Sequence, residues 1–552
     1  MITLNIMRSH LDLNNRLSKR TKLMFAIAAI VVVSAPLRLY RLNTRPPGLF
    51  GDEAADGLDA LHIIAGKRPV YLTDNNGREP MHAYLVALSV SILGRTPAAV
   101  RAPSALASII TVFGIFLVSH SLFGQRVALL TALIGGFTVW PIMLGRLATR
   151  PALLPLFLAF SLWMGITAWR RASHWRWVLS GIIFGAGLYT YTPIRVMLLV
   201  PILWSALILV NGSARRLYPG AAMFLIALAL TCAPFANFAL KHSDLVFGRS
   251  SGVAIISLDD SPNHILSTLA SQTTAVLPMF MIPGRGDWNL RHNIPNRAAF
   301  DPAMAFAFAL GMLVVFNRKH RRHLLALLIW IAVALLPTIL SEEPPHFGRS
   351  SGALPVLFIF PAIGLCWAHR NLERYTHRII TIVMSAGILL ASIFMTTRDY
   401  LMRDYLGTPA AGFWFDEQCT LATREINRFL GNTRRMDGLI TSPTQTHTHR
   451  QVFIAPNVCP RYSSSGYHTV QFLVPQELGN SSQFQRYDLS ALPPLTSLKQ
   501  EVLILSIPGD EEQLLPWLEA SFSTSTSVGP WTPPVALGNS WLVYRSIEAS
   551  RK

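Results

Sequence analysis

Residues 23–40 read LMFAIAAIVVVSAPLRLY, and residues 51–66 read GDEAADGLDALHIIAG. The first run is apolar almost throughout and approaches the roughly 20 residues that cross a bilayer. It follows a basic leader carrying Arg8, Arg16, Lys19, Arg20 and Lys22. The positive-inside bias therefore sets the N-terminus in the cytoplasm and the acids after residue 50 on the far side. With no small-residue cleavage site and further apolar runs behind it, the run reads as a retained signal-anchor. Acids beside a membrane face are costly to dehydrate and are kept there for a reason. Asp52 and Glu53 are thus the first catalytic candidates, placed where a helix opens and its dipole favours an acid.

Composition sets the class: of 552 residues, 51% are hydrophobic and 14% charged, which describes a polytopic α-helical membrane protein. The net charge of +19 does not point to nucleic acid, because Lys and Arg fall in short loops between apolar runs. WRRASHWRW, NRKHRRH and AHRNLERYTHR are the clearest cytoplasmic loops. Working outward from them, spans fall near 23–40, 81–94, 102–123, 151–168, 178–192, 196–210, 219–240, 303–317, 323–340, 353–367 and 379–396. The run 127–141 is taken as a half-membrane or surface-lying helix, since a full crossing would put basic loops on the wrong side. This gives about eleven spans, with thirteen as the alternative.

The expected organisation is a cytoplasmic leader at 1–22, a transmembrane domain at 23–396 and an extracytoplasmic domain at 397–552. Outer loop one covers 41–80 and a long outer loop covers 241–302. In the tail, GLITS, HTVQFLV and EVLILSI read as β-rich runs, whereas CTLATREINRFL and PWLEASFS look helical. A small α/β or α+β domain follows. Cys232 and Cys366 lie in apolar runs, as packing residues do. Cys419 and Cys459 lie in the tail and could pair in an oxidising compartment, although spacing alone does not join them.

Charged clusters recur at predicted outer ends. Arg78 and Glu79 precede a re-entering apolar run, Arg146 and Arg150 sit in GRLATRP, and Tyr191 and Arg195 sit in GLYTYTPIR. His346 and Arg349 occupy SEEPPHFGRSSGALP. Its FGRSSG occurs also at 247–252, and only the second copy is read as an anion-holding turn. Asp287 and His292 in GRGDWNLRHNIPN could line an acceptor groove, and an ordinary structured loop explains them almost as well. Asp56 and Asp59 read as a solvated face, and Asp416–Glu417 as surface. No P-loop, paired-Cys spacing, His-Glu-x-x-His or G-x-S-x-G is present, so no metal-ligand set is legible.

The order GDEAADGLDALHIIAGKRPVY, NGREPMHAYLVALSVSILG, TPAAVRAPSALASIITVFGIFLVSHSLFG resembles the front module of GT-C class membrane glycosyltransferases. The nearest groups are the protein O-mannosyltransferase-like and lipid A aminoarabinose transferase-like enzymes. The resemblance covers about residues 20–200 and is weaker over 201–400, where HFGRSSGALP carries it. It implies a polyprenyl-phosphate-linked sugar donor, inversion at the anomeric carbon, and Asp52, followed by Glu as in the family, as the catalytic carboxylate. The acceptor is a protein, a lipid or a glycan, and a divalent metal stays open because members differ. The junction Arg78-Glu79-Pro80-Met81 departs from the Lys-Pro-Pro-Leu form of some members, so no family role passes to Glu79.

Residue chemistry agrees with that expectation. A base must take the acceptor proton, which suits Asp52, and cations must meet the charge developing on the leaving phosphate, for which Arg146, Arg150 and Arg349 are placed. The competing class is a polyprenyl-linked lipid transporter or flippase. It would carry ionisable residues deep in its spans, whereas here they gather at the outer ends.

Overall fold

The computed structural model describes residues 20–74, 77–210, 214–256, 260–316, 321–402, 408–432, 449–455, 458–459, 466–474, 484–486, 492–507, 509–528 and 545–552. Most of the expected leader 1–22 and the run GLITS lie outside them, as do the side chains of 249–251 in the first FGRSSG copy.

Seven described helices are long and apolar enough to cross a membrane: Arg20–Leu39, Pro97–Phe123, Arg150–Arg171, Tyr218–Lys241, Arg321–Ile339, Ser351–Leu372 and Arg378–Leu401. An eighth is made by Gln125–Phe137 and Val139–Arg146 if that pair, bent by 55°, is one span. Met81–Leu93, Ile194–Val210 and Pro302–Leu313 are shorter apolar helices. The chain is an integral membrane protein of mainly helical build. Its largest core joins Leu158, Trp330, Phe347, Phe358 and Phe360. Glycines let backbones meet there: a Cβ on Gly311 would lie 1.9 Å from the Phe360 carbonyl, and one on Gly364 would lie 1.9 Å from that of Ala307.

Met81–Leu93, read as a span, packs antiparallel along the loop-one helix Gly51–Ile64. At its start, Arg78 meets Asp59 and His82 meets Asp56. Just beyond its end, Ala98 N–H donates to Asn43 Oδ1 and Arg101 binds Glu53. Both ends therefore lie against loop one. Its apolar side chains are explained by packing on a neighbour as well as by lipid, a distinction hydropathy cannot make.

The run 127–141, read as a half-membrane or surface-lying helix, lies within the bent pair that follows Pro97–Phe123. That helix has 27 residues and is about 40 Å long. The pair ends at Arg146, whose guanidinium reaches the carbonyls of Tyr40 and Arg45 in loop one. On the way it passes the first span, where Arg38 Nη1 donates to Gly136 O (2.9 Å).

The tail contains a mixed five-stranded sheet of β1 (Arg450–Ile454), β2 (Phe484–Arg486), β3 (Glu501–Ser506), β4 (Phe522–Val528) and β5 (Arg545–Arg551), in the order β2-β1-β3-β5-β4. β1 runs parallel to β2 and β3, and β5 runs antiparallel to β3 and β4. EVLILS forms β3, and CTLATREINRFL lies in the helix Glu417–Leu430, as expected. HTVQFLV, expected to be β-rich, instead lies in the helix Gly466–Leu473 and the residue after it. Its Thr469, Phe472 and Leu473 are buried against loop one, and that tertiary contact overrides β propensity. Cys419 and Cys459 form a disulfide.

Candidate functional site

The site is organised by the loop-one helix Gly51–Ile64, which parts the two adjacent acids. Asp52 is exposed in its first turn. Glu53 is fully buried with Arg101: Arg101 Nε donates to Oε1 (2.9 Å), Nη2 to Oε2 (2.7 Å), and Ala148 N–H also donates to Oε1 (2.9 Å). The same guanidinium donates to the carbonyls of Leu42, Pro46 and Gly48. Glu53 thus ties loop one to the helix Pro97–Phe123 and to the chain after Arg146, leaving only Asp52 exposed to a substrate.

Asp56 and Asp59 are buried rather than solvated. Arg78 donates to Asp56 Oδ1 (2.7 Å) and Asp59 Oδ2 (2.5 Å), while His82 Nδ1 meets Asp56 Oδ2 at 2.7 Å and its Nε2 meets Ser104 Oγ at 3.0 Å. Burial alone would raise the Asp56 carboxyl, but Arg78 and His82 hold it below its ordinary value. The network clamps the loop-one helix to Met81–Leu93 and takes up the Arg78 charge that a donor phosphate was expected to meet.

Glu79 lies between two arginines. Arg150 Nη1 donates to Oε2 (3.1 Å), Arg195 Nη2 to Oε1 (2.9 Å), and Thr192 Oγ1 to Oε1 (2.9 Å). Arg150 lies over the Tyr191 ring at 5.8 Å, and Arg195 lies over Phe235 at 5.3 Å. Both arginines stay partly exposed, and Arg195 Nε is buried with no hydrogen-bond partner among the described residues. One carboxylate against two guanidiniums leaves a positive pocket, which suits a phosphate.

Arg146 has a different place from the one expected. It is buried, and it donates to the carbonyls of Leu37 (3.2 Å), Tyr40 (2.7 Å) and Arg45 (2.8 Å). It braces the exit of the first span instead of facing a phosphate. Arg349 is engaged with Ser341 Oγ and Glu342 O, both at 2.7 Å. In the second FGRSSG copy Ser350 Oγ donates to His346 O (3.0 Å), and Ser351 Oγ is buried without a hydrogen-bond partner among the described residues.

The long outer loop folds back onto that turn. Asp287 is buried and accepts from Phe347 N–H (2.7 Å) and Asn289 N–H (2.8 Å). Burial pushes its carboxyl up to about 7 against those two hydrogen bonds and the Arg349 charge. The His292 and His346 rings lie 4.5 Å apart. Burial and the charges of Arg291 and Arg349 push His292 down to about 3, while burial, His292 and Arg349 push His346 well below its ordinary value. With His292 uncharged near pH 7, the 3.8 Å approach of its Nδ1 to Asp287 Oδ2 is not an ion pair.

Ligand atoms of Asp287, His292 and His346 lie within 4.8 Å of one another. Two neutral imidazoles and a carboxylate make a donor set suited to zinc. His292 Nδ1 is buried without a hydrogen-bond partner among the described residues, as an unused ligand atom would be. These three are the residues that could hold a metal, and their spacing of 5 and 54 positions conceals them in sequence.

Sequence reading missed several residues. Arg101 was visible as an ionisable residue inside an apolar run. His82 and His468 carried no such signal, and Asp416, read as surface, instead accepts from Gly51 N–H in loop one.

A family model described as dolichyl-phosphate-mannose-protein mannosyltransferase matches residues 76–238, the segment holding Arg78, Glu79, Arg150 and Arg195. The whole chain is similar to ArnT from Cupriavidus metallidurans bound to undecaprenyl phosphate, at 14% identity and a TM-score of 0.54 over 96% of this chain and 98% of that one. It is similar also to an oligosaccharyltransferase from Archaeoglobus fulgidus tethered with an acceptor peptide, at 12% identity and a TM-score of 0.50 over 93% of this chain and 73% of that one. At such identities the likeness is one of fold. No curated relative matches the chain by sequence.

Proposed function

We propose that this protein is an inverting glycosyltransferase that moves a sugar from a polyprenyl-phosphate donor to an acceptor at the extracytoplasmic membrane face. The observation that carries the reading is the separation of roles in loop one: Asp52 is exposed while Glu53, Asp56 and Asp59 are buried in clamps. In the reaction the acceptor oxygen attacks C1 of the sugar, its proton passes to Asp52, and the C1–O bond to phosphate breaks. The bond electrons leave with the polyprenyl phosphate. Arg150 and Arg195 are the cations assigned to meet that charge, oriented by Glu79 and Thr192. Tyr191 and Phe235 flank them.

The topology we infer has eleven crossings. They are the seven long helices, the bent pair 125–146, and the segments 174–187, 194–210 and 302–316. It keeps the N-terminus in the cytoplasm and puts loop one, the long loop and the domain 397–552 outside. The Cys419–Cys459 disulfide supports an oxidising compartment for the tail.

The test is transfer of labelled sugar from polyprenyl-phosphate donors by purified wild type and Asp52→Asn in liposomes. Loss of about 10²–10⁴-fold in the variant, with donor binding kept, is expected of a general base. Equal rates would remove Asp52 from that role, and donor translocation without transfer would make the protein a flippase.

A further inference from the structure

We propose that the C-terminal domain completes the transfer site, its helix Gly466–Leu473 presenting His468 to hold a hydroxyl-bearing acceptor beside Asp52. The inference rests on the glycosyl-transfer reading above and adds to it the group that receives the acceptor.

The helix is seated on loop one at several points. Thr469 Oγ1 donates to Leu49 O (2.8 Å) in loop one, while Asn427 Nδ2, in the tail's own helix Glu417–Leu430, donates to Leu473 O (2.9 Å). Phe472 is fully buried against Gly57, where a Cβ would lie 2.6 Å from the ring, so only glycine admits it. These contacts fix the residue immediately before Thr469. That residue is His468, half-buried, with Nδ1 lying beneath the surface without a hydrogen-bond partner among the described residues. A buried polar atom left in that state is costly unless a ligand meets it.

The surroundings are those of the site. The Asp52, Asp74 and Arg78 charges reach His468, and burial followed by Arg78 holds its imidazole below the ordinary value, against the two acids. At neutral pH the ring is uncharged, with one nitrogen donating and the other accepting. The ring N–H can donate to the acceptor oxygen, which leaves that oxygen's own proton for transfer to Asp52. His468 forms no bond to the sugar. It holds the acceptor oxygen in line with C1 while that oxygen displaces the phosphate. Water can attack in the acceptor's place without such a holder, so donor hydrolysis does not depend on His468.

The experiment compares wild type, His468→Ala, His468→Gln and Asp52→Asn in liposomes carrying radiolabelled polyprenyl-phosphate mannose. Each is offered a serine/threonine peptide, lipid A and an oligosaccharide, and both transfer and hydrolysis are counted. His468→Ala is expected to lower kcat/KM for the working acceptor about 10–100-fold through its KM. Donor KM and hydrolysis should stay within about twofold, and Gln, which keeps a polar head, should recover part of the loss. Protection of Cys419 and Cys459 from alkylation reports that the tail is folded. Unchanged acceptor kcat/KM in His468→Ala overturns the proposal, as does hydrolysis falling in parallel with transfer. An inactive Asp52→Asn beside an unaffected His468→Ala removes the His468 role alone. Wild type with neither transfer nor hydrolysis removes the enzyme reading and this one together.

Discussion

Asp416, in the C-terminal domain, accepts a hydrogen bond at Oδ2 from the backbone N–H of Gly51 (3.1 Å), the residue before Asp52. A donor with no partner inside the loop-one helix is thereby satisfied by a carboxylate 365 positions away, and the negative charge lies at the positive end of the helix dipole. Thr420 Oγ1 accepts from Leu49 N–H (2.9 Å) and Thr469 donates to Leu49 O, so the tail grips the backbone on which Asp52 stands.

Removing that cap should cost stability and activity together. Asp416 has a left-handed backbone with φ of 52°, which Asn and Gly tolerate and Ala does not. Asp416→Asn keeps an oxygen acceptor and should be close to wild type. Asp416→Gly should lose about 1 kcal/mol through the missing cap, and Asp416→Ala more than Gly through added backbone strain. Thermal unfolding of the three variants checks the ranking, and an Ala variant as stable as Asn would refute it.

The two adjacent acids should fail in different ways. Glu53→Gln leaves Arg101 buried without its counter-charge, a loss on the order of 3–5 kcal/mol, and should appear as poor yield and early unfolding. Asp52→Asn should unfold at the wild-type temperature and lose transfer only. Matching melting curves for the two variants would contradict the assignment.

The arginines should separate likewise. Arg150→Gln and Arg195→Gln are expected to raise donor KM about tenfold each, while the fold is kept. Arg146→Gln abandons three carbonyls at the exit of the first span and should lower stability without a specific effect on donor KM. Steady-state kinetics at varied donor concentration, read beside melting temperature, tells the groups apart.

Asp287 gives a pH dependence with a definite sign. Its folded value of about 7 lies above the ordinary 3.8, so between pH 4 and 7 the folded chain keeps a proton that the unfolded chain has released. Its contribution to stability is present below pH 4 and is lost as pH rises through about 7. Between pH 5 and 8 the loss is on the order of 2–3 kcal/mol. Asp287→Asn should flatten the fall in melting temperature over that range, and an undiminished fall would exclude Asp287 as its source.

Much of the membrane plan was readable because apolar length and basic loops act through solvent, which each segment meets by itself. The cationic segments 146–150 and 191–195 were visible for the same reason, as positive charge between apolar runs. What each arginine does was not, since Arg146 and Arg150 stand four positions apart, one against backbone carbonyls and the other against Glu79. Met81–Leu93 shows the limit of hydropathy, because a helix apolar enough for lipid is also apolar enough to pack on a neighbour. HTVQFLV shows the limit of propensity, since Phe472 is placed by a glycine more than four hundred positions earlier.

The sequence by itself determined that this chain enters a membrane many times, that charged clusters fall between its apolar runs, and that a more polar tail follows. Those properties are sums over neighbouring residues, set by the free energy of each segment in lipid or water. Only the tertiary structure decided that Asp52 faces outward while Glu53 is locked to Arg101, that Asp56 and Asp59 are clamps, and that the tail grips loop one. A carboxylate is an ion, an ion-pair partner or a helix cap according to what lies within about 3 Å of it, and those partners are brought together from distant parts of the chain.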